Sequence, residues 1–399
     1  MEQDYYYINP NSTYDSNFSN CDNTTIEECL LGPQRDPLTT VIPMTLVYGV
    51  ILTTGVIGNL CTCTVIAKNR YMHTATNYYL FSLAVSDLLL LVLGLPQEIY
   101  QLWYKYPYIF GQLFCFIRGW TSEMCTNASI LTITAFTVER YVAICHPFRA
   151  QTMSHLPRAV KTIILIWIAA AVLALPTALQ FGIKYEIVGE QILWGTALCS
   201  VISPFPHIFE VSTFVFFVLP MALISVLYIF IGIRLRQVSI GNHSDSINDC
   251  NMLSKQKINS RKSVVKMLGA VVTSFFICWS PFHAQRLLAI YSSTEPTPTL
   301  ELTYTILTYI SGVTYYLSAT VNPILYQLMS GKFRQALKDT FYAYCKCCGP
   351  KNNSGRGAEM SFHCDNSRYR ISYQQQNKET VSNSVNWMND SMNNHKIPT

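Results

Sequence analysis

Charged and polar side chains inside apolar runs are the residues that could do chemistry here, because each must be paired, protonated or in use. Asp87 sits in LFSLAVSDLLLL with no lysine or arginine near it in sequence. A carboxylate in such surroundings is costly unless a proton, a partner or a cation offsets the burial. Asn59, Ser129, Ser318 and Asn322 carry oxygens at matching depths in other apolar runs, and together with Asp87 they form a donor set for Na⁺ or, alternatively, a structural polar cluster. A second constellation, Glu139-Arg140-Tyr141, puts an acid and a base side by side at the end of another run. Pro220, Pro281 and Pro323 each fall inside an apolar run, where proline removes a backbone hydrogen bond and permits a kink. With Trp279, Asn322 and Tyr326 beside them, they read as hinges.

Holding these groups at different depths takes long helices. The chain is 50% hydrophobic and only 13% charged, about half the charge of an ordinary soluble domain. Seven apolar segments account for this: Pro43–Ala67, Asn77–Leu102, Gly111–Cys145, Arg158–Phe181, Pro206–Arg236, Lys262–Tyr291 and Leu300–Leu328. Each is about 20 residues or longer, enough to cross a ~30 Å hydrocarbon core. The third organises the rest, since Cys115 to Arg140 spans roughly 37 Å as a helix. Lys68, Arg70, Arg234, Arg236, Lys332 and Arg334 are among the bases flanking one set of segment ends, whereas the opposite loops carry chiefly Lys105 and Lys184. The positive-inside rule then places the amino terminus outside and the carboxyl terminus in the cytosol. The formal net charge of +5 carries no nucleic-acid signature, because the bases flank apolar runs instead of forming a patch with interleaved aromatics.

The expected fold is an all-α membrane protein: a seven-transmembrane helix bundle with a short extracellular β-hairpin and an amphipathic eighth helix. Residues 1–42 read as a polar outer tail with glycosylation sequons at Asn11, Asn17 and Asn23, and with Cys21 and Cys29 able to pair. MEQDYYYINP has no basic or apolar region of a cleavable signal peptide, so the first apolar segment is expected to act as its own insertion signal. Residues 43–330 hold the bundle. Between its fourth and fifth segments, KYEIVGEQILWGTALC turns at Val188-Gly189-Glu190 as a hairpin, and Cys199 would tether it to Cys115. The polar stretch 237–256 reads as a mobile cytosolic loop. Residues 331–348 set Phe333, Leu337, Phe341 and Tyr344 on one face of an interfacial helix that ends at the palmitoylation candidates Cys345, Cys347 and Cys348. Residues 349–399 have the composition of a disordered tail, with Ser354, Ser361, Ser367, Ser372, Thr380, Ser382 and Ser384 as candidate phosphosites for arrestin.

Gly58-Asn59, Leu83-Ala84-Val85-Ser86-Asp87, Glu139-Arg140-Tyr141, Trp167, Cys278-Trp279-Ser280-Pro281 and Asn322-Pro323-Ile324-Leu325-Tyr326 occur in order over residues 43–345. As a set they resemble the motifs of rhodopsin-like G-protein-coupled receptors. The resemblance implies that Glu139 holds Arg140 at rest and that Arg140 faces a heterotrimeric G protein when active. It further implies that Tyr228 and Tyr326 swing in beneath Arg140, while Ile130, Pro220 and Phe275 repack below Trp279. Two residues depart from the commoner pattern: Glu139 stands for Asp, and Ala319 stands where many members offer the sodium site a hydroxyl.

The family pattern also bears on the ligand. Residues 300–328 contain no lysine for a retinal Schiff base, and Ser122 stands where amine receptors carry a carboxylate. Glu98 and Glu123, in the outer halves of the second and third segments, would face a vestibule where a guanidinium could bridge them through charge-assisted hydrogen bonds. Arg286 could pair with one of these acids at rest or engage a ligand carbonyl, and Gln97, Trp279, His283 and Phe209 complete the expected peptide-binding set. The stretches LAVSDLLLLVLGLPQEIYQLW, NASILTITAFTVERYVAICHPF and IFEVSTFVFFVLPM resemble the neuromedin U receptor family and, within it, the arthropod pyrokinin and capa-peptide branch. That implies amidated peptides ending in Pro-Arg-X-amide, with the capa (Val-amide) type favoured over the pyrokinin (Leu-amide) type, and signalling through Gq-type proteins, phospholipase C and calcium. No cofactor beyond allosteric Na⁺ is expected. A transporter or channel is the rival class, but the chain lacks repeated halves with paired broken helices. HExxH, a phosphate-binding glycine loop and a nucleophile elbow are all missing from the sequence, which argues against an enzyme.

Overall fold

The computed structural model describes residues 25–146, 156–202, 205–244, 251–292 and 297–348. Over 238–244, 251–264, 267–268, 291–292 and 343–348, only the backbone is described. The elements in order are α1 (Ile26–Leu31), α2 (Leu38–Lys68), a 3-10 turn (Arg70–Met72), α3 (Ala75–Leu93), α4 (Leu95–Trp103), α5 (Gly111–Cys145) and α6 (Leu156–Ala178). There follow β1 (Phe181–Val188), β2 (Gln191–Val201), α7 (Ile208–Thr213), a π turn (Phe214–Val218), α8 (Leu219–Ser244), α9 (Asn251–Ser292), α10 (Pro298–Met329) and α11 (Gly331–Cys348).

Local chemistry explains where several of these begin. The Thr74 hydroxyl accepts from the Asn77 N–H at the start of α3, and Thr297 does the same for Leu300 ahead of α10, satisfying donors that have no intrahelical partner. Inside the helices, threonine hydroxyls donate back to carbonyls one turn earlier, as Thr126 does to Ser122 and Thr137 to Ile133, so they bring no unsatisfied group into an apolar setting. Among the described residues, five segments are long and apolar enough to cross a membrane: Leu38–Lys68, Ala75–Trp103, Gly111–Cys145, Leu156–Ala178 and Ile208–Gln237. Helices α9 and α10 occupy the remaining two expected segments and are 42 and 32 residues long.

The structure departs from the sequence reading in five places. The second expected segment is two helices, broken at Gly94 because Pro96 has no N–H to give to the preceding turn. The fifth contains a π turn in which the Leu219 N–H donates to the Phe214 carbonyl, a widened loop immediately before Pro220. The fourth helix stops at Ala178, and Phe181 already belongs to β1. Helical backbone reaches Ser244 and resumes at Asn251, so much of the expected 237–256 loop is helix. Finally, residues 25–37, expected to be part of a polar tail, form α1 and a hydrogen-bonded extension.

α5 packs against α3, α6 and α8, and α10 against α2, α3 and α9. One apolar core runs through these helices, with Leu83, Leu91, Ile130, Phe136 and Tyr326 almost wholly buried. The hairpin is antiparallel, pairing Phe181 with Val201 and Val188 with Gln191, and turns at Gly189, whose φ of +63° only glycine adopts without strain. The Cys115–Cys199 disulfide fastens β2 to the first turns of α5. Cys29 is also disulfide-bonded, while Cys21 lies outside the described residues. α11 turns Phe333, Ala336 and Thr340 inward and leaves Phe341 and Tyr342 exposed.

Candidate functional site

The site is organised in three tiers, starting at the hairpin end. Glu98 stands in the first turn of α4, just after the break at Gly94. Its carboxylate accepts a hydrogen bond from Nη2 of Arg118 on α5. Further along α5, Glu123 Oε1 accepts from Arg286 Nη2 of α9 at 2.6 Å. The two ion pairs differ in setting: the side chains are 22% and 30% exposed for Arg118 and Glu98, but 12% and 8% for Arg286 and Glu123. Arg286 is further enclosed by aromatic faces, with its guanidinium 4.5 Å from the Phe209 ring centroid and 5.0 Å from that of Phe282. Two glutamates expected to face the vestibule together are therefore each held by an internal arginine. Arg118 is the partner the sequence reading missed, although a base inside the apolar run CFIRGW is itself the signal that could have found it.

Below these pairs the pocket has an aromatic floor. His283 Nδ1 lies 3.1 Å from the Thr213 hydroxyl, and its ring stacks on Phe217 at 4.6 Å. The Tyr315 hydroxyl is 2.5 Å from Ser122 Oγ and 3.5 Å from Thr126 Oγ1, filling the space beside the position where amine receptors carry their acid. Tyr315 packs edge-on against Trp279 at 4.8 Å and stacks with Phe282 at 4.9 Å. Gln97 is buried, and both of its side-chain amide atoms lack a hydrogen-bond partner among the described residues.

The middle tier is a small cavity lined by Asp87, Ser129, Trp279, Ser318 and Asn322, among others. The Asn322 amide donates to Asp87 Oδ2 at 3.0 Å, Ser129 Oγ lies 2.9 Å from Ser86 Oγ, and Ser318 donates to the Tyr315 carbonyl at 2.6 Å. Four of the five expected sodium-site residues thus meet around one cavity. Asn59 does not line it; its amide donates to the carbonyls of Gly55 (3.0 Å) and Ala319 (2.8 Å), tying α2 to α10. A buried carboxylate with three neighbouring side-chain oxygens suits a hard cation, since Ser318 gives away its proton and keeps its lone pairs.

The third tier lies at the opposite end of α5. Arg140 Nη2 is 3.2 Å from Glu139 Oε1, and the guanidinium sits 5.4 Å from the Phe136 centroid. Tyr141 contacts His146 with its hydroxyl 3.4 Å from Nε2. Arg140 Nε and the hydroxyls of Tyr228 and Tyr326 are buried with no hydrogen-bond partner among the described residues. Between the second and third tiers, Phe275 stacks under Trp279 at 5.2 Å and Ile130 is fully buried. Pro281 and Pro323 lie inside α9 and α10. Asn11, Asn17 and Asn23 lie outside the described residues, as do the side chains of Cys345, Cys347 and Cys348.

Comparison with known proteins places the chain among relatives. Residues 58–326 match the 7 transmembrane receptor (rhodopsin family) model. The chain is 45% identical over 361 residues to the Pyrokinin-1 receptor of Drosophila melanogaster, covering 78% of this chain and 82% of that one. It is 42% identical over 327 residues to Neuromedin-U receptor 2 of Mus musculus (81% and 80% covered), and 37% identical over 347 residues to Neuromedin-U receptor 1 of Homo sapiens (83% and 80% covered).

Proposed function

Because this chain belongs to the rhodopsin-like family of seven-transmembrane receptors, in its neuromedin U and pyrokinin branch, we propose that it is the receptor for an amidated neuropeptide ending in Pro-Arg-X-amide. It is a multi-pass plasma-membrane receptor and not an enzyme. In the proposed arrangement α9 and α10 complete seven spans, the hairpin and amino terminus lie outside, and α11 rests on the cytosolic membrane surface against lipid. The distribution of Lys and Arg along the chain supports this orientation.

The observation that carries the ligand reading is the pair of mouth acids, each already holding a guanidinium in hydrogen-bonding geometry. A peptide arginine can take the place of one internal arginine at its glutamate, leaving the displaced guanidinium to donate to a carbonyl of the peptide's amidated end. Glu98 is the readier site of exchange, being more exposed than Glu123. Trp279, His283, Gln97 and Phe209 surround the incoming chain. A shift of Tyr315 or Phe282 then reaches Trp279 directly, and Phe275 below it, through ring contacts. In this reading Na⁺ at Asp87, Ser129, Ser318 and Asn322 favours the resting packing. Activation frees Arg140 from Glu139, and Tyr228 and Tyr326 move beneath it to admit a Gq-type protein, with phospholipase C and calcium downstream and arrestin acting on the tail. Glycans at Asn11, Asn17 and Asn23 and acyl chains on Cys345, Cys347 and Cys348 belong to the same picture.

The capa preference rests on no single residue. The name and 45% identity of the Drosophila relative instead favour a Leu-amide peptide of the pyrokinin type. Calcium release in cells displaying the chain decides this, using matched peptides ending in Pro-Arg-Leu-amide, Pro-Arg-Val-amide and the free acid. The expected order is Leu-amide, then Val-amide, with the free acid inactive. Silence to every arginine-bearing amide, with the protein at the cell surface, would overturn the ligand assignment.

A further inference from the structure

Residues 32–37 are fastened along the corner that follows α4. The Gln34 side chain donates to the Tyr106 carbonyl at 2.7 Å, the Lys105 N–H returns a bond to the Gln34 carbonyl at 3.0 Å, and the Tyr106 hydroxyl donates to the Gly32 carbonyl. Asp36 closes the run by accepting from two directions, Lys105 Nζ at 2.6 Å and the Tyr309 hydroxyl of α10 at 2.6 Å. The carboxylate therefore clips α10 to the end of α4. The start of α4 meets α10 as well, since a Cβ at Gly94 would overlap the Tyr316 hydroxyl. Glu98 lies between these two points of contact.

We propose that residues 25–37 form a strap that completes the peptide-binding mouth, and that Asp36 is its positioning residue, holding α10 against α4 so that Glu98 is presented to the ligand. Asp36 need not touch the peptide. A mouth already ordered before binding loses less conformational freedom when the ligand arrives, and the gain appears mainly as slower dissociation. As a lone surface ion pair, Lys105–Asp36 would count for little. Its weight comes from the third partner, because the same carboxylate also anchors a neighbouring helix.

This inference rests on the peptide-receptor reading, so the test has one arm with ligand and one without. In cells with matched surface display, Asp36→Ala is expected to raise the half-maximal concentration of a Pro-Arg-Leu-amide peptide about tenfold, shorten its residence time and leave the maximal response unchanged. Tyr309→Phe should act in the same direction, and the double variant should be no worse than Asp36→Ala alone, because both remove one tie. Curves for both single variants that overlay the unaltered receptor would overturn the proposal, as would independent, multiplying effects. If the unaltered receptor ignores such peptides, the ligand reading fails and hydrogen exchange on the purified full chain decides the strap. Asp36→Ala should then speed exchange in residues 298–309 while sparing the hairpin, and unchanged exchange in 298–309 would sink it.

Discussion

The two ends of the bundle differ in which groups are paired at rest and which are not. At the hairpin end every charge described above has a partner: Glu98 with Arg118, Glu123 with Arg286, Asp36 with Lys105 and Tyr309. At the Arg140 end, one guanidinium nitrogen and two tyrosine hydroxyls are buried with none among the described residues. A buried polar group without a partner raises the free energy of the conformation that contains it. The ion pairs of the hairpin end are thus already formed at rest, and a charged ligand must exchange with them. The other end holds unmet hydrogen-bonding capacity that a rearrangement or an incoming protein can fill. Gln97 and Tyr108 are exceptions at the hairpin end, where the Gln97 amide and the Tyr108 hydroxyl are buried without a partner among the described residues.

The contrast can be broken or sharpened by substitution. Arg140→Ala should have the largest effect, abolishing G-protein activation while leaving radiolabelled peptide binding intact; loss of both would mean that the two ends are not separable. Glu123→Gln comes next. It strands Arg286 among aromatic rings, and breaking a buried pair costs about 3–5 kcal/mol, so peptide affinity should fall by about a hundredfold or more and thermal stability should drop with it. Glu98→Gln should weaken potency by about tenfold with little change in melting temperature, because that pair is better hydrated. Equal losses from the two glutamates would erase the distinction between them. Tyr326→Phe should leave the resting protein as stable, or more stable by up to about 1 kcal/mol, since it deletes an unpartnered hydroxyl, and yet lower the signalling response.

The smallest effect concerns pH. Burial works to raise the Asp36 carboxyl, but the hydrogen bonds from Lys105 and Tyr309 outweigh it and hold it below the ordinary value of 3.8. A carboxyl lowered on folding adds stability that is full above its unfolded value and is lost only as pH falls through the folded one. The penalty for Asp36→Ala should therefore be the same from about pH 5 to about pH 8. A penalty that faded between those limits would assign the tie to another group.

What could be read from the sequence was local or periodic. The turn at Gly189 and the long uninterrupted α5 follow from residue types and spacing along single runs, and the meeting of Asp87 with Asn322 from their matching depths in two runs. The Arg118–Glu98 pairing does not, because it depends on how far the break at Gly94 turns α4 toward α5. Nor does the π turn: Pro220 announces a disturbance but not whether the helix will kink or widen. Asn59 carries a motif position yet bonds to backbone carbonyls, a choice set by the close approach of α2 and α10. The strap was least legible of all: three of its bonds run to backbone atoms, which leave no trace in side-chain pattern, and Asp36 meets Lys105 and Tyr309 far along the chain.

α5 runs 35 residues without a proline, whereas α9 and α10 each contain one inside the last third of their length. Bending stiffness is therefore unequal among neighbours that touch. The disulfide at Cys115 anchors one tip of the stiff member to the hairpin, and Arg140 rides near its other tip. Flexing is easier in its jointed neighbours, α8 with its π turn among them, than in this axle, which can turn or slide but hardly fold.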